Sequence, residues 1–334
     1  MKIPDSKRIP ARRPARRALL TLLAAAAAAS ALPAAAQEYP SRPIRLVVGY
    51  PPGGSNDIVA RIIAPRLGEA LGTQVIVENK PGVSGALGAD FVAKSAPDGY
   101  TLLAASASPV VITPHTVAKI PFNTLTDFAP INTVGQTPEA IAVHPGLGVS
   151  TLKELLALAR TREVTLSSSG AGGLPHLTIE LLIQASKGRI VHVPYKGAGP
   201  AVTDTVAGHV NGIVMDMPPL YPLLQDGRLK GLAVTSARRV EFMPGLPTAQ
   251  EELPGFDVTN WMGVFAPART PRPVIERINA AIGTVVARPD VREQLLKVAV
   301  VPMTMASPDA FQKFVAEEFV RWGKLVREKS IVAQ

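Results

Sequence analysis

Residues 44–71 read IRLVVGYPPGGSNDIVARIIAPRLGEAL, and this stretch decides the fold class. Ile44 to Val48 is a short apolar, β-branched run of the kind that forms a buried strand. From Asp57 to Leu71, Ile58, Val59, Ile62, Ile63 and Leu67 recur at spacings of three and four, the stripe that lets a helix lie on a sheet. Pro65 falls inside that pattern and weakens it. Between strand and helix sits Tyr50-Pro51-Pro52-Gly53-Gly54-Ser55-Asn56, a turn with two adjacent glycines. A strand, a glycine turn and an amphipathic helix make the repeating half of an α/β sheet.

The same alternation runs on through the chain. Gln74–Glu78, Thr101–Ala105, Thr165–Ser168, Ile190–Val193, Gly212–Met215 and Leu229–Val234 read as further buried strands, with helix-period segments between them. The last helix is expected from Pro308 to Glu328. Phe311, Phe314, Val315, Phe319, Trp322, Leu325 and Val326 share one face, with Glu317, Glu318, Arg321 and Lys324 elsewhere. A chain of 334 residues has room for two such α/β units. With 47% hydrophobic and 18% charged residues it is neither disordered nor polytopic. Its 32 prolines, about twice the average usage, suit many short elements joined by structured turns. Cysteine is absent, which excludes disulfides, thiolate metal sites and cysteine nucleophiles.

The first 36 residues carry Lys2, Lys7, Arg8, Arg12, Arg13, Arg16 and Arg17, then the apolar stretch 18–29, then Ala34-Ala35-Ala36. This is the pattern of a secretory signal peptide cut before Gln37. Pro14 and Ala15 after Arg13 favour the general route over the twin-arginine one. Six of the nine net positive charges lie in this segment, so the mature chain keeps only +3. The remaining basic residues are scattered among acids, which argues against nucleic acid as a partner. The expected location is the periplasm.

Ligands of open α/β sheets collect where strands end and helices begin. The first such turn offers Pro52, Gly53, Gly54, Ser55 and Asp57: backbone amides at a helix start that suit an anion, without the lysine or spacing of a nucleotide loop. Ser55, Asn56 and Asp57 also suit helix capping. Ser106 follows the third strand and joins the ligand-binding candidates. The second turn, Ser167-Ser168-Ser169-Gly170-Ala171-Gly172-Gly173, repeats the logic with Ser168, Ser169 and Gly170, and His176 starts the next helix beside it. Val193-Pro194-Tyr195-Lys196-Gly197 supplies Tyr195, Lys196 and Gly197; Asp216 ends a further strand, where it could hold a loop amide or a ligand amine. The alternative chemistry is a secreted hydrolase using Ser168 or Ser169 with His176, though no G-x-S-x-G elbow is present. His115, His144, His176, His192 and His209 form no H-x-x-x-H pair, so neither a metal nor another cofactor is expected.

Several ordered motifs then stand out: Tyr39-Pro40-Ser41-Arg42-Pro43-Ile44, Pro51-Pro52-Gly53-Gly54 with Asp57, Val77-Glu78-Asn79-Lys80-Pro81-Gly82 and Ala96-Pro97-Asp98-Gly99-Tyr100. Asp127-Phe128-Ala129-Pro130, His192-Val193-Pro194-Tyr195-Lys196-Gly197, Leu232-Ala233-Val234-Thr235-Ser236, Pro244 to Thr248 and Gly263-Val264-Phe265-Ala266-Pro267 continue the series. On these motifs the chain resembles the Bug family of receptors, the periplasmic solute-binding proteins of tripartite tricarboxylate transporters. The resemblance implies two α/β lobes, each a mixed sheet flanked by helices, closing like a Venus flytrap on a small carboxylate. It implies that amides and hydroxyls of the turns matching Gly53 to Asp57 and Ser168 to Gly170 hold the ligand, and that the membrane subunits of such a transporter are the partner. The chain departs from the family pattern at Asn56, where threonine or serine is usual, and at Met217, where asparagine is common; both departures bear on ligand identity. The expected lobes are 37–139 with 263–334, and 140–262, in a monomer that is not an enzyme.

Overall fold

The computed structural model describes Met1 and residues 39–333; the expected signal peptide and its cleavage point lie outside the described residues. Among the described residues no helix is long and apolar enough to cross a membrane.

Ile44–Val48 is β1, as its apolar run predicts, and Ser55–Leu71 is helix α1. Val59, Ile63 and Leu67 are buried, while Ile58 and Ile62 are half-buried. Pro65 is accommodated inside the helix. β1 is the middle of a parallel trio with β2 (Val75–Asn79) and β3 (Thr101–Ser106), with Ile44 opposite Val75 and Arg45 opposite Thr101. Helix α2 is Ala86–Ala93.

The strand that organises the molecule is β4, Phe128–Val143, which the sequence pattern does not reveal. Its first part, Phe128 to Pro138, pairs antiparallel with β9 (Thr259–Pro267), and β9 pairs in turn with β3. Its last part, Glu139 to Val143, pairs with β7 (Gly212–Asp216) and β8 (Lys230–Val234) in a second sheet. Beyond β7 that sheet continues through β5 (Val164–Ser168) to β6 (Ile190–Pro194), all parallel. β10, Val301–Pro302, adds a short pairing to β4 in the first sheet. Each sheet is therefore mixed and belongs to one lobe. Prolines and glycines interrupt β4 because it is irregular there: its pairing with β9 slips between Pro130 and Asn132, and again between Thr133 and Gly135.

The chain crosses between sheets twice. It leaves the first at Pro138–Glu139 and returns between Val234 and Thr259. The fully buried Thr235 stitches the crossings together: its hydroxyl donates to Val258 O at 2.6 Å and accepts from Glu139 N at 2.9 Å. Residues 259–262, which the sequence boundary assigned to the second lobe, pair with the first sheet.

Helices α3 (Leu152–Thr161), α4 (Leu174–Ser186), α5 (Ala198–Val206) and α6 (Met217–Gln225) accompany the second sheet. Helices α7 (Arg272–Ala287), α8 (Pro289–Lys297) and α9 (Pro308–Glu328) return to the first. In α9, Phe311, Val315, Trp322 and Val326 are buried, as their spacing predicts. Glu318 departs from the expected polar face: it is buried, accepting from the indoles of both Trp261 (3.1 Å) and Trp322 (2.9 Å), with Arg321 3.0 Å away. Three donors converge on one carboxylate, which is how its burial is tolerated.

Candidate interlobe ligand site

The turn after β1 is held from below by Asp57. Its carboxylate accepts from Gly53 N (3.0 Å) and Asn79 Nδ2 (2.9 Å) and pairs with Arg61 at 2.9 Å. Burial opposes the charge, but the bonds from Arg61, Gly53 and Asn79 outweigh it and hold this carboxyl below the usual range. Asp57 is thus a brace for the loop, and Gly53 adopts the left-handed φ of +87° that the brace requires. The first residue of α1, Ser55, is only 5% exposed, and its hydroxyl oxygen has no hydrogen-bond partner among the described residues. Gly54, with no side-chain cap to satisfy the helix start, precedes it.

Gly54, Ser55 and Asn56 line a cavity of about 30 Å³, room for one or two waters, together with Tyr50, Ser106, Ser108, Ser169, Pro175, Ala198, Met215 and Asp216. Four helix starts converge there: Ser55 of α1, Pro175 of α4, Ala198 of α5, and Asp216 at the cap of α6. The unpaired amides of a helix start favour anions. Asn56 Nδ2 donates to Ser106 Oγ at 3.1 Å, fixing that hydroxyl at the end of β3. Tyr50 OH donates to Ser84 O at 2.6 Å, and burial pushes the phenol well up from its ordinary range.

The lobes meet directly around this cavity. Ser84 Oγ donates to Ala171 O at 2.6 Å, Thr116 Oγ1 to Gly172 O at 2.6 Å, and Leu174 N to Ser108 Oγ at 2.9 Å. Gly54 faces Ala198 across the cleft, where a Cβ would stand 3.8 Å from the Ala198 Cβ. Its φ of −83° is ordinary and so is a contact of 3.8 Å, so neither the turn nor the facing lobe demands a glycine at this position.

Of the residues singled out from sequence, the cavity brings together Gly54, Ser55, Ser106, Ser169 and Asp216. The others are placed elsewhere. Pro52 and Gly53 are exposed at the turn's outer edge. Ser168 is fully buried with Oγ 2.6 Å from His192 Nε2, and Gly170 packs so close to Ser84 that a Cβ would come within 2.8 Å of its hydroxyl. His176 Nδ1 accepts from Gly172 N at 3.0 Å, and its ring stacks on His192 at 4.3 Å. The histidine expected beside the serines therefore supports the loop, and the serine–histidine contact is between Ser168 and His192. Burial, then the neighbouring His176, lowers His192 to about 3. Tyr195 OH donates to Asp204 Oδ2 at 2.7 Å, Lys196 is exposed, and Gly197 N donates to Ser169 O at 3.1 Å. Asn56 lines the cavity as well, the position whose departure from the family pattern bears on ligand identity; Tyr50, Ser108, Pro175, Ala198 and Met215 were not picked out, and for Ser108 the signal was a second serine two residues after Ser106.

Behind the cavity lies an acid pair. Asp216 sits opposite Glu139 in the β4–β7 register, beside the crossing. Asn260 Nδ2 donates to both Asp216 oxygens at 3.0 and 2.9 Å, and Asn260 Oδ1 accepts from Ala107 N. Burial raises Asp216 to about 6, against the two bonds from Asn260 and the nearby Ser55 hydroxyl, which stands off hydrogen-bond geometry. Glu139 is fully buried, with Thr178 donating to one oxygen and the other unpartnered. Burial and the Asp216 charge raise its carboxyl well above the usual range. Acids with raised native pKa values bind more protons folded than unfolded, so their contribution to stability falls as pH rises through that window. The double variant Glu139→Gln/Asp216→Asn is therefore expected to lose stability less than the parent between pH 4 and 7. The rise at Asp216 alone is worth on the order of 2–3 kcal/mol over that range. Parallel thermal melts of the two proteins across pH check this; curves that run parallel would refute it.

The model of tripartite tricarboxylate transporter family receptors matches residues 59–331. BugT of Bordetella pertussis is 36% identical over 302 residues, covering 89% of this chain and 92% of BugT. The structure of the periplasmic binding protein BugD superposes with a TM-score of 0.84 at 31% identity, covering 89% of this chain and all of that one. R. palustris Rpa4515 with adipate gives 0.84 at 31% identity, covering 88% and 99%. Two mixed sheets joined by shared crossings, a cleft ringed by helix starts and a family match over nearly all of the described residues agree, and the chain belongs to the solute-binding receptors of tripartite tricarboxylate transporters, the Bug family.

Proposed function

We propose that this receptor works in the periplasm as a non-catalytic monomer. In this reading it closes its lobes on a small carboxylate and presents it to the membrane subunits of a tripartite tricarboxylate-type transporter. The observation that carries the reading is the buried, unpartnered Ser55 hydroxyl at a helix start in the interlobe cavity, a donor that an anionic ligand would satisfy. The adipate in Rpa4515 supports the ligand class, and the basic, apolar, Ala-x-Ala segment at residues 1–36 supports export. The serine held by a histidine, Ser168, does not line the cavity, which supports binding over hydrolysis. Because the cavity with the lobes apposed holds little more than water, admission of a ligand requires them to part.

A thermal-shift screen of mono-, di- and tricarboxylates and amino acids tests this. A ligand at one hundred times its Kd stabilises by about 2.7 kcal/mol. Ser55→Ala is expected to lower that ligand's affinity by on the order of 1 kcal/mol, one neutral hydrogen bond. No stabilising compound in the screen, or chemical turnover of the one that binds, would sink the reading.

A further inference from the structure

The cavity contains an acid and no base. Among its lining residues only Tyr50 and Asp216 ionise, and no lysine, arginine or histidine lines it. The groups facing Asp216 are Asn260 from β9, Glu139 from β4, and Ser55 and Tyr50 from the first turn and α1. A carboxylate accepts up to about four hydrogen bonds, and among the described residues the Asn260 amide is the side chain that donates to Asp216 at short range. Acceptor capacity therefore remains on the cavity side. The unpartnered Ser55 hydroxyl, 5% exposed and lining the same cavity, independently marks the space as one that a ligand completes.

A plain dicarboxylate fits this arrangement poorly. One of its carboxylates suits the amides of α1 and the hydroxyls of Ser55, Ser106 and Ser108, but it brings a negative charge toward Asp216 with no cation between them. A ligand bearing an ammonium beside its carboxylate answers both ends of the cavity. We propose that Asp216 is a specificity-determining residue that selects an amino-carboxylate, an amino acid or similar zwitterion, over the hydroxy acid or dicarboxylate of the same skeleton. This rests on the carboxylate-receptor reading above and narrows it. Asp216, raised only to about 6, carries its charge at neutral pH, and Glu139 behind it is held well above the usual carboxylate range by burial and by that charge.

The test is calorimetry at pH 7.4 on the mature protein with matched pairs that differ only in the group beside the carboxylate: L-aspartate and L-malate, L-glutamate and 2-hydroxyglutarate, L-alanine and L-lactate, with adipate and succinate alongside. The amino member of the best-binding pair is expected to bind at least tenfold tighter, the scale of a charge-assisted hydrogen bond. Asp216→Asn, the same shape without the charge, is expected to cut that preference at least tenfold by weakening the amino member alone. Asn260→Ala removes the clamp and keeps the charge, so it should retain the preference. A hydroxy acid or dicarboxylate binding tighter than its amino counterpart would overturn the proposal. So would Asp216→Asn weakening both members of a pair equally, which is the behaviour of a residue that only anchors Asn260. If nothing in the series and nothing in the wider carboxylate screen binds, the receptor reading itself has failed and this inference falls with it.

Discussion

A valine at position 197 is expected to weaken ligand binding on the order of 30- to 100-fold while leaving the secondary structure intact. Gly197 lies between β6 and α5 in the second lobe, at a φ of +111°. A Cβ there would stand 2.8 Å from Pro51 Cγ and 3.0 Å from its Cδ. Pro51 belongs to the β1–α1 turn of the first lobe, and its ring cannot swing aside as a flexible side chain would. The clash exists only with the lobes together; when they part it is relieved, leaving the local cost of a β-branched residue at positive φ. Overpacking of this kind costs about 2–3 kcal/mol. Because the ligand draws on the closed arrangement, that cost appears as lost affinity. Gly199→Val, two residues on with nothing within 4 Å of its would-be Cβ, is the control and should bind normally. Calorimetry of both variants with the tightest-binding carboxylate, alongside circular dichroism, gives the answer. Near-normal affinity in Gly197→Val would mean that capture does not bring Pro51 and Gly197 together.

Truncating Trp322 to alanine is expected to destabilise the protein by about 3–5 kcal/mol, lowering the thermal midpoint by roughly 5–8 °C for a chain of this size. Trp322 is fully buried on α9, and its indole donates to Glu318 at 2.9 Å. Its loss opens a cavity and removes one of the three donors that keep the Glu318 carboxylate satisfied out of water. Trp322→Phe separates the two effects, since it fills most of the volume but still leaves Glu318 one donor short. It should fall between the parent and Trp322→Ala. A shift under 2 °C for the alanine variant would mean that α9 is not bound into the first lobe as the burial of its apolar face indicates.

These two positions also show how far a sequence reading reaches. The apolar spacing of α9 marks Trp322 as core without any structure, because periodicity reports which face of a helix is shielded. It misplaces Glu318 on the same helix, because the two indoles that make its burial tolerable come from different elements, one of them 57 residues away. Gly197 reads as a turn residue from its neighbours, but its nearness to Pro51 joins residues 146 positions apart and has no local signature.

The residues alone spell out the local grammar. They set strands at 44–48, 101–105, 165–168 and 212–215, helices at 57–71 and 308–328, all within two residues of the folded elements, and glycine turns where strands end. These follow from side-chain period and backbone freedom, which are properties of neighbouring residues. Tertiary structure alone decided three things. It made residues 128–143 a single strand, because pairing on both sides with β9, β7 and β8 compensates for Pro130 and Pro138. It also decided parity within the turns. Ser168 and Ser169 are chemically identical neighbours, yet Ser168 is spoken for by His192 and Ser169 lines the cavity. Finally it buried Glu139 behind Asp216, since a lone acid between a proline and an alanine carries no sign of the partner strand that will face it. In each case the deciding free energy lies in a contact between distant residues, and only the folded chain brings those residues together.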